Sequence, residues 1–552
     1  MSIKNQNIKI KYLIINNPQV FLVTLSFLYL LPLLSSYLIP DDIKFAFLFG
    51  DYGFFESLRN IWLSSIEVYN KDYFLRPITH SISLIEYSIW GIKPFWHHLT
   101  NVSIHVINII LIYQFSFILL KRRELSLICA IIFTIHPIMI NATFWMNGKA
   151  DIVACSFYLL SLITLCRYIE KKHLRYLIIS QILFLVALLS KETSITLFLA
   201  QYWLVFWKKD ELVGKEEIRA LLLKIFCGNL FTILIFLSFL STRFNQNLFF
   251  IINFYKNYNF GDFFEFLISL KNSGSFIFLP FGYSWFETFF LENKFYMIVL
   301  LMPVFIKSLF FIYSNNNKYY KYIMSFMLFL IHVFYVSNSG MIEYLYLPIC
   351  FFAIFLGQII YDSYQKSKII FIVLTLYGMT LLIGSLINYG AWVDINRISR
   401  ALVNGLEEEM NENDNFDAYV ILNFPSKVNQ DVIFKDEFES FVNLKTSLDR
   451  KIIMPVFVVH DRDIKPTAIY SSDKSITLNA CEQSSYFLVG EKPLVPGQVL
   501  NVKNGKIIIQ KVNQKGNAIR IVLKLKNNLL ESRIRCLYFD ESSLQYEVFT
   551  FK

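Results

Sequence analysis

Residues 18–38 read PQVFLVTLSFLYLLPLLSSYL, without one charged side chain, and stretches of this kind recur along most of the chain. A helix needs about 20 largely apolar residues to cross the hydrocarbon core of a bilayer. Transmembrane barrels are excluded, because their signal is a series of short alternating segments rather than long apolar runs. The fold class is therefore a polytopic α-helical membrane protein. The composition agrees: 55% of the 552 residues are hydrophobic and 17% are charged, whereas a soluble domain carries about a quarter charged residues.

The formal net charge is +10. In a soluble protein that would suggest nucleic acid as a partner. Here Lys and Arg fall mostly in short loops between apolar runs, as the positive-inside rule expects, so no nucleic-acid role is expected. Of the seven cysteines, Cys129, Cys155, Cys166, Cys227 and Cys350 lie in or beside apolar runs. Cys481 and Cys536 lie in the polar tail, where an oxidising compartment would let them pair. No cysteine spacing suggests a metal site.

Lys4, Lys9 and Lys11 place the N-terminus in the cytoplasm and make 18–38 a first anchor rather than a cleaved signal. An outer loop, 39–99, follows. Further spans are expected at about 100–120, 125–141, 151–168, 175–190, 194–207 and 220–241, with basic residues marking the inner loops. The stretch 262–286 could cross or lie at the interface; it contains Lys271 and Asn272 and is read as re-entrant, whereas counting it as a span would reverse the loops that follow. Spans at about 294–313, 322–338, 348–361 and 368–388 complete a set of about eleven, with the C-terminus outside.

After about residue 390 the pattern changes. AYVILNF, PVFVVH, KIIIQKV, IRIVLKL and YEVFTF are short, β-branched or aromatic, and several alternate. The expected organisation is a transmembrane domain over 1–394 and a soluble, mostly β domain over 395–552.

Polar residues gather at the outer ends of the spans. Asp41 and Asp42 stand side by side where the first span stops. Arg76 lies in YFLRP, His136 and Asn141 in HPIMIN, Lys149 and Asp151 in GKAD, Lys191 and Glu192 in SKET, and Glu343 in IEYLYLP. Polar groups at membrane depth are costly unless paired or functional. Carboxylates suit a general base, and Arg and Lys suit a phosphate. Together they suit a transferase whose donor is a lipid phosphate: one acid takes the proton of an acceptor hydroxyl while cations stabilise the charge growing on the departing phosphate.

The ordered set — an acid pair after span 1, RP, KPFWHHLTNVSIHVIN, HP…W…GKAD, LLSKET and EYLYLP — resembles the integral-membrane glycosyltransferases of the GT-C class. The similarity covers roughly residues 25–395 and is strongest to the transmembrane O-mannosyltransferases that carry tetratricopeptide repeats, and their bacterial relatives. The resemblance implies that Asp41 and Asp42 supply the catalytic base. It implies that Arg76 matches the donor-phosphate lysine of YFEKP in lipid A aminoarabinose transferases, and that Lys149 and Asp151 match the family's GRAD motif. Lys191 and Glu192 match its SKE motif. Three departures stand out. Asn141 replaces a usual Glu, Glu343 precedes YLYLP where Arg is usual, and strand-like sequence replaces the repeat tail.

The expected function is transfer of a sugar from a polyprenyl-phosphate donor to an extracytoplasmic acceptor: protein Ser/Thr, a glycolipid or a polysaccharide. Arg76, Lys149 and Lys191 would bind the donor phosphate, with His136, Asp151, Glu192 and Glu343 in support. No metal ligand or certain cofactor is assigned, a divalent metal staying open. The expected place is a bacterial inner or plasma membrane rather than the endoplasmic reticulum, with active site and tail extracytoplasmic. The alternatives are a transporter or flippase for lipid-linked sugars, which lacks the midplane site and inverted repeat such proteins show, and a non-catalytic relative.

Overall fold

The structure, a computed structural model, describes residues 17–37, 53–63, 76–212, 215–244, 342–366 and 368–412, parts of 325–330, and the strands between 418 and 548 with a few adjoining turn residues. Asp41, Asp42, the 262–286 stretch and the expected span 294–313 lie outside the described residues, as does most of 322–338. The chain divides into two units. One holds the described residues of 17–36 and 53–390; the other holds Tyr37 and the residues from 391 onward.

In the first unit the helices are α1 (Pro18–Leu30), α2 (Phe54–Leu63), α3 (Pro77–Trp90), α4 (Pro94–Leu120), α5 (Arg123–Ile135) and α6 (Pro137–Phe144). They continue as α7 (Lys149–Lys171), α8 (Leu174–Ser190), α9 (Leu197–Trp207), α10 (Lys215–Phe244), α11 (Tyr346–Lys366) and α12 (Lys368–Glu412). Four of them, α1, α3, α4 and α6, open on a proline in the first turn. There proline's missing N–H has no intrahelical partner to lose and its fixed φ favours the helix.

Among the described residues five helices are long and apolar enough to cross a membrane, or six if α5 and α6 count as one broken span. The centre is α7, with 72% of its apolar window buried, beside α4 with 61%; α1 and α10 bury only 28% of theirs. Among the described residues α7 and α4 thus pack mostly against protein, while α1 and α10 leave most of their apolar windows uncovered. In α1 the buried side chains are Leu22, Ser26 and Leu30, four residues apart on one face. That face meets α4, while α8 lies along α7 and α11 packs on α5.

Three expectations change in detail. The expected sixth span, 194–207, is a 3-10 turn at Glu192–Thr196 followed by the 11-residue α9; a helix of that length rises about 16 Å, half the hydrocarbon thickness. The expected third span is bent by 58° between α5 and α6. Pro137 carries no N–H for the helix ladder, so the break is local and chemical. At the break the Met139 N–H turns to the His136 carbonyl, and the Ile135 carbonyl is met instead by Ser385 of α12, which donates to it at 2.6 Å, while Asn388 reaches the Pro137 oxygen at 3.4 Å. Finally, α12 does not stop near 388 but runs for 45 residues to Glu412.

The second unit contains the end of α12 and strands β1 (Ala418–Pro425), β2 (Lys427–Val428), β3 (Asp431–Val432), β4 (Ile452–His460), β5 (Thr467–Tyr470) and β6 (Ser475–Asn479). It continues with β7 (Ser485–Tyr486), β8 (Val499–Val502), β9 (Gly505–Val512), β10 (Ala518–Leu525), β11 (Ile534–Asp540) and β12 (Gln545–Val548). The main sheet runs β12-β11-β1-β4-β7-β10-β6-β5, with β9 joined to β10 and β8 to β9. β1 pairs in parallel with both β11 and β4, and β10 pairs antiparallel with β6, β7 and β9. Tyr419 and Ile421, two apart on one face of β1, are buried with Leu537 of β11.

Candidate active site

Arg76 precedes Pro77, and a residue before proline is pushed out of the helical region. Its backbone is non-helical, at φ −126° and ψ 66°, so it sits just outside the start of α3. From there its guanidinium grips Glu192 with both arms: Nε to Oε2 at 3.0 Å and Nη2 to Oε1 at 2.7 Å. Glu192 opens the 3-10 turn after α8. Burial raises the Glu192 carboxyl, but Arg76 beside it more than reverses this and holds it below the usual range. Burial likewise opposes the charge on Arg76, and Glu192 more than restores it, lifting the guanidinium above its ordinary value.

Lys191 is extended, at φ −159° and ψ 135°, where α8 ends. Its ammonium donates to Asp151 Oδ2 at 2.5 Å and lies 3.4 Å from the centre of the Tyr344 ring. Asp151 is in the first turn of α7, where the helix dipole favours a negative charge. Thr79 of α3 donates to the Ser190 carbonyl at 3.0 Å, tying α3 to the end of α8. Three elements thus bring two cations and two carboxylates together.

Lys149, the first residue of α7, is placed by a close approach. A Cβ on Gly148 would lie 2.2 Å from the Ala142 carbonyl oxygen, so only glycine lets this turn sit against α6. Lys149 is buried and pairs with Glu86 of α3, which also faces His97 Nδ1 at 3.3 Å. The other His97 nitrogen faces the Gly91 carbonyl at 2.7 Å. Burial pushes the Glu86 carboxyl up and the Lys149 charge pulls it down further, below its ordinary value.

His136 caps α6, its ring Nδ1 accepting from the Ile138 N–H at 3.4 Å, and meets the Phe352 ring edge to face. The backbone of Glu343 lies in a 3-10 turn, Ile342–Leu345. Of the residues read from sequence, Arg76, Lys191, Asp151 and Glu192 come together, and Lys149 forms a second ion-paired group. Glu86, His97 and Tyr344 were not singled out. Glu86 carried a signal, being an acid inside the largely apolar LIEYSIW. Among the described residues no group of three or more His, Cys, Asp and Glu is arranged to hold a metal ion.

Residues 85–238 match the family described as Dolichyl-phosphate-mannose-protein mannosyltransferase. Protein O-mannosyl-transferase TMTC1 of Homo sapiens is 28% identical over 134 residues, which is 22% of this chain and 15% of that protein. Tmtc1 of Drosophila melanogaster is 32% identical over 124 residues, 22% of this chain and 14% of that one. Over residues 85–238 the chain is similar to these mannosyltransferases. TMTC2 of Homo sapiens is 34% identical over 88 residues, 16% of this chain and 10% of that protein. The chain therefore spans far less than two thirds of the length of these relatives. Glu86, Lys149, Asp151, Lys191 and Glu192 lie inside the matched stretch, and Arg76 lies just before it. Among solved structures, ArnT from Cupriavidus metallidurans bound to undecaprenyl phosphate is similar with a TM-score of 0.46 and 13% identity, over 79% of this chain and 89% of that one. That likeness is too distant to carry an argument.

Proposed function

We propose that this protein is a membrane glycosyltransferase that moves a sugar from a polyprenyl-phosphate donor to an extracytoplasmic acceptor. The observation that supports it most is the buried cluster of Arg76, Glu192, Lys191 and Asp151. A buried lysine is expensive unless paired, and a purely structural pair needs no second cation beside it. Lys191 has three N–H donors and gives one to Asp151, which leaves donors for a phosphate oxygen. Arg76, its fork held by Glu192, adds a fixed positive charge beside Lys191. Asp151 and Glu192 hold the two cations in place and balance them until the donor binds. Lys149 is assigned a longer-range electrostatic role, with Glu86 as its partner. His136 and Glu343 are placed in support.

Asp41 and Asp42 are assigned the base from their place in the sequence, Asp41 foremost. In the step envisaged, the base takes the acceptor hydroxyl's proton and the acceptor oxygen bonds to the sugar's anomeric carbon. The bond from that carbon to the phosphate oxygen breaks, and prenyl phosphate leaves with the electron pair. Arg76 and Lys191 stabilise its charge. The acceptor class, a protein hydroxyl, a glycolipid or a polysaccharide, is left open. Residues 395–552 are assigned an extracytoplasmic role in presenting the acceptor, and the location is a bacterial plasma membrane.

The test is donor turnover in lipid nanodiscs with a short-chain prenyl-phosphate mannose, followed by release of prenyl phosphate, beside mass spectrometry of glycans and glycolipids from cells with and without the protein. Asp41→Asn is expected to slow turnover by roughly 10²–10⁴-fold with folding intact. Wild-type turnover in an Asp41→Asn, Asp42→Asn double variant would remove the pair from the mechanism.

A further inference from the structure

Tyr37 stands four residues before Asp41, and the end of α12 grips it at three levels. Asn396 Oδ1 accepts the Tyr37 backbone N–H at 2.7 Å. The Arg400 guanidinium lies 5.8 Å from the centre of the Tyr37 ring, within cation–π reach. The Tyr37 hydroxyl reaches Asn404 Oδ1 at 3.4 Å, a long contact. Residues 396, 400 and 404 are spaced by four and so share one face of the helix.

Asn396 is the sharpest of the three. Its Nδ2 donates to the carbonyl of Trp392, one turn back in the same helix, at 2.7 Å. That bond orients the carboxamide and leaves Oδ1 as the acceptor for Tyr37. The side chain is buried, so the bond is shielded from competing water. An asparagine inside a helix is otherwise an indifferent choice, with several residues of better propensity available. The far side of the same helix is held as well. Tyr546 of β12 donates from its hydroxyl to the Leu402 carbonyl at 2.9 Å, and its ring lies 3.0 Å from where a Cβ on Gly405 would stand. At about 100° per residue, position 405 faces roughly opposite 396 and 400. The segment is clasped between Tyr37 and β12.

We infer that Asn396 is a positioning residue: by accepting the Tyr37 N–H it fixes the backbone at the point where the chain leaves the first span toward Asp41 and Asp42, with Tyr546 bracing the helix from behind. This rests on the reading of the acid pair as the base. No part of this contact lies in the cation cluster, so its loss acts on the proton-transfer step and spares donor binding.

The test uses the full-length protein in nanodiscs and two readouts. Hydrogen exchange at Tyr37, resolved by fragmentation mass spectrometry, reports the contact without reference to activity. Asn396→Ala removes the acceptor and is expected to speed exchange at Tyr37 roughly 5- to 10-fold, whereas Asn396→Asp keeps an acceptor and stays near wild type. Prenyl-phosphate release from the short-chain mannose donor reports function: Asn396→Ala lowers kcat and leaves donor affinity unchanged. In an Asp41→Asn background it adds nothing further. Unchanged exchange in Asn396→Ala overturns the contact. Faster exchange with unchanged kcat, in a protein that Asp41→Asn inactivates, overturns the positioning role and leaves the proposed function standing. Should the Asp41→Asn, Asp42→Asn double variant be silent, the base assignment fails and exchange alone decides whether Asn396 holds the segment. If Asn396→Ala does not fold, Asn396→Ser, whose shorter side chain withdraws the acceptor, replaces it: unaltered Tyr37 exchange overturns the contact, and faster exchange with unchanged kcat overturns the positioning role.

Discussion

Lys191, where α8 ends, and Asp151, in the first turn of α7, meet at 2.5 Å with both side chains almost wholly removed from solvent. Forty positions separate them in sequence, and neither charge is tolerable at that depth without the other. Removing one partner of such a pair leaves the other buried and unpaired, at a cost of about 3–5 kcal/mol. Lys191→Met is therefore expected to lower the unfolding temperature in micelles sharply, and Asp151→Leu to do likewise. The double variant should regain much of the lost stability while staying unable to bind a prenyl-phosphate sugar. A double variant no more stable than either single one would show that the two charges do not compensate each other.

Arg76 tests the fork geometry. Lysine in its place keeps a charge but cannot make two parallel bonds to Glu192. Arg76→Lys should weaken donor binding roughly tenfold, about 1.4 kcal/mol in affinity, and cost about 1 kcal/mol of stability. Calorimetric titration with the short-chain donor reads the first number. An affinity equal to wild type would mean that Arg76 only anchors Glu192.

The site also predicts an acid limb. Glu192 and Glu86 both titrate lower in the folded protein than in the unfolded chain, because Arg76 and Lys149 favour their ionised forms over the opposing effect of burial. A depressed carboxylate contributes stability that is fully present above its unfolded value, about 4.3, and is lost as pH falls through its folded value. The unfolding temperature should stay level from neutral pH to about pH 5 and drop below about pH 4. Glu192→Gln should lower the neutral plateau and make the acid drop shallower. An acid limb of unchanged slope in that variant would remove Glu192 as a contributor.

Gly148 offers a steric test. Any Cβ there meets the Ala142 carbonyl oxygen, and backbone atoms do not yield as a flexible side chain would. Gly148→Ala should cost about 1–3 kcal/mol and displace Lys149 from Glu86. Thermal unfolding reads the first effect. The second appears as lost coupling in a Lys149→Met, Glu86→Gln double-mutant cycle made in the Gly148→Ala background.

Much of this arrangement was legible in the sequence where it is local. Apolar runs, proline-led helix starts and short motifs such as RP, GKAD and SKE act within a few residues, so they can be read without the fold. Glu86 was passed over because its meaning comes from Lys149, 63 positions away. The break at His136–Pro137 was read as one straight span because its flanks are apolar on both sides. The length of α12 was hidden for the opposite reason: hydropathy falls near residue 390, but Arg, Leu and Glu in RISRALVNGLEEEM are good helix formers. Hydropathy and backbone propensity are different signals, and beyond residue 390 they part. Asp41 and Asp42, on which the proposed chemistry turns, lie outside the described residues.

The break between α5 and α6 leaves a mark that evolution can be asked about. The break turns the Ile135 carbonyl out of the helix ladder, and the Ser385 hydroxyl on α12 takes it up. That hydroxyl has its value only as long as the break is there to need it. A descendant that lost Pro137 and straightened the helix would have no use for Ser385, and an apolar residue could replace it. Ser385 and the Ile135 carbonyl it meets, 250 places apart along the chain, answer to one and the same local feature.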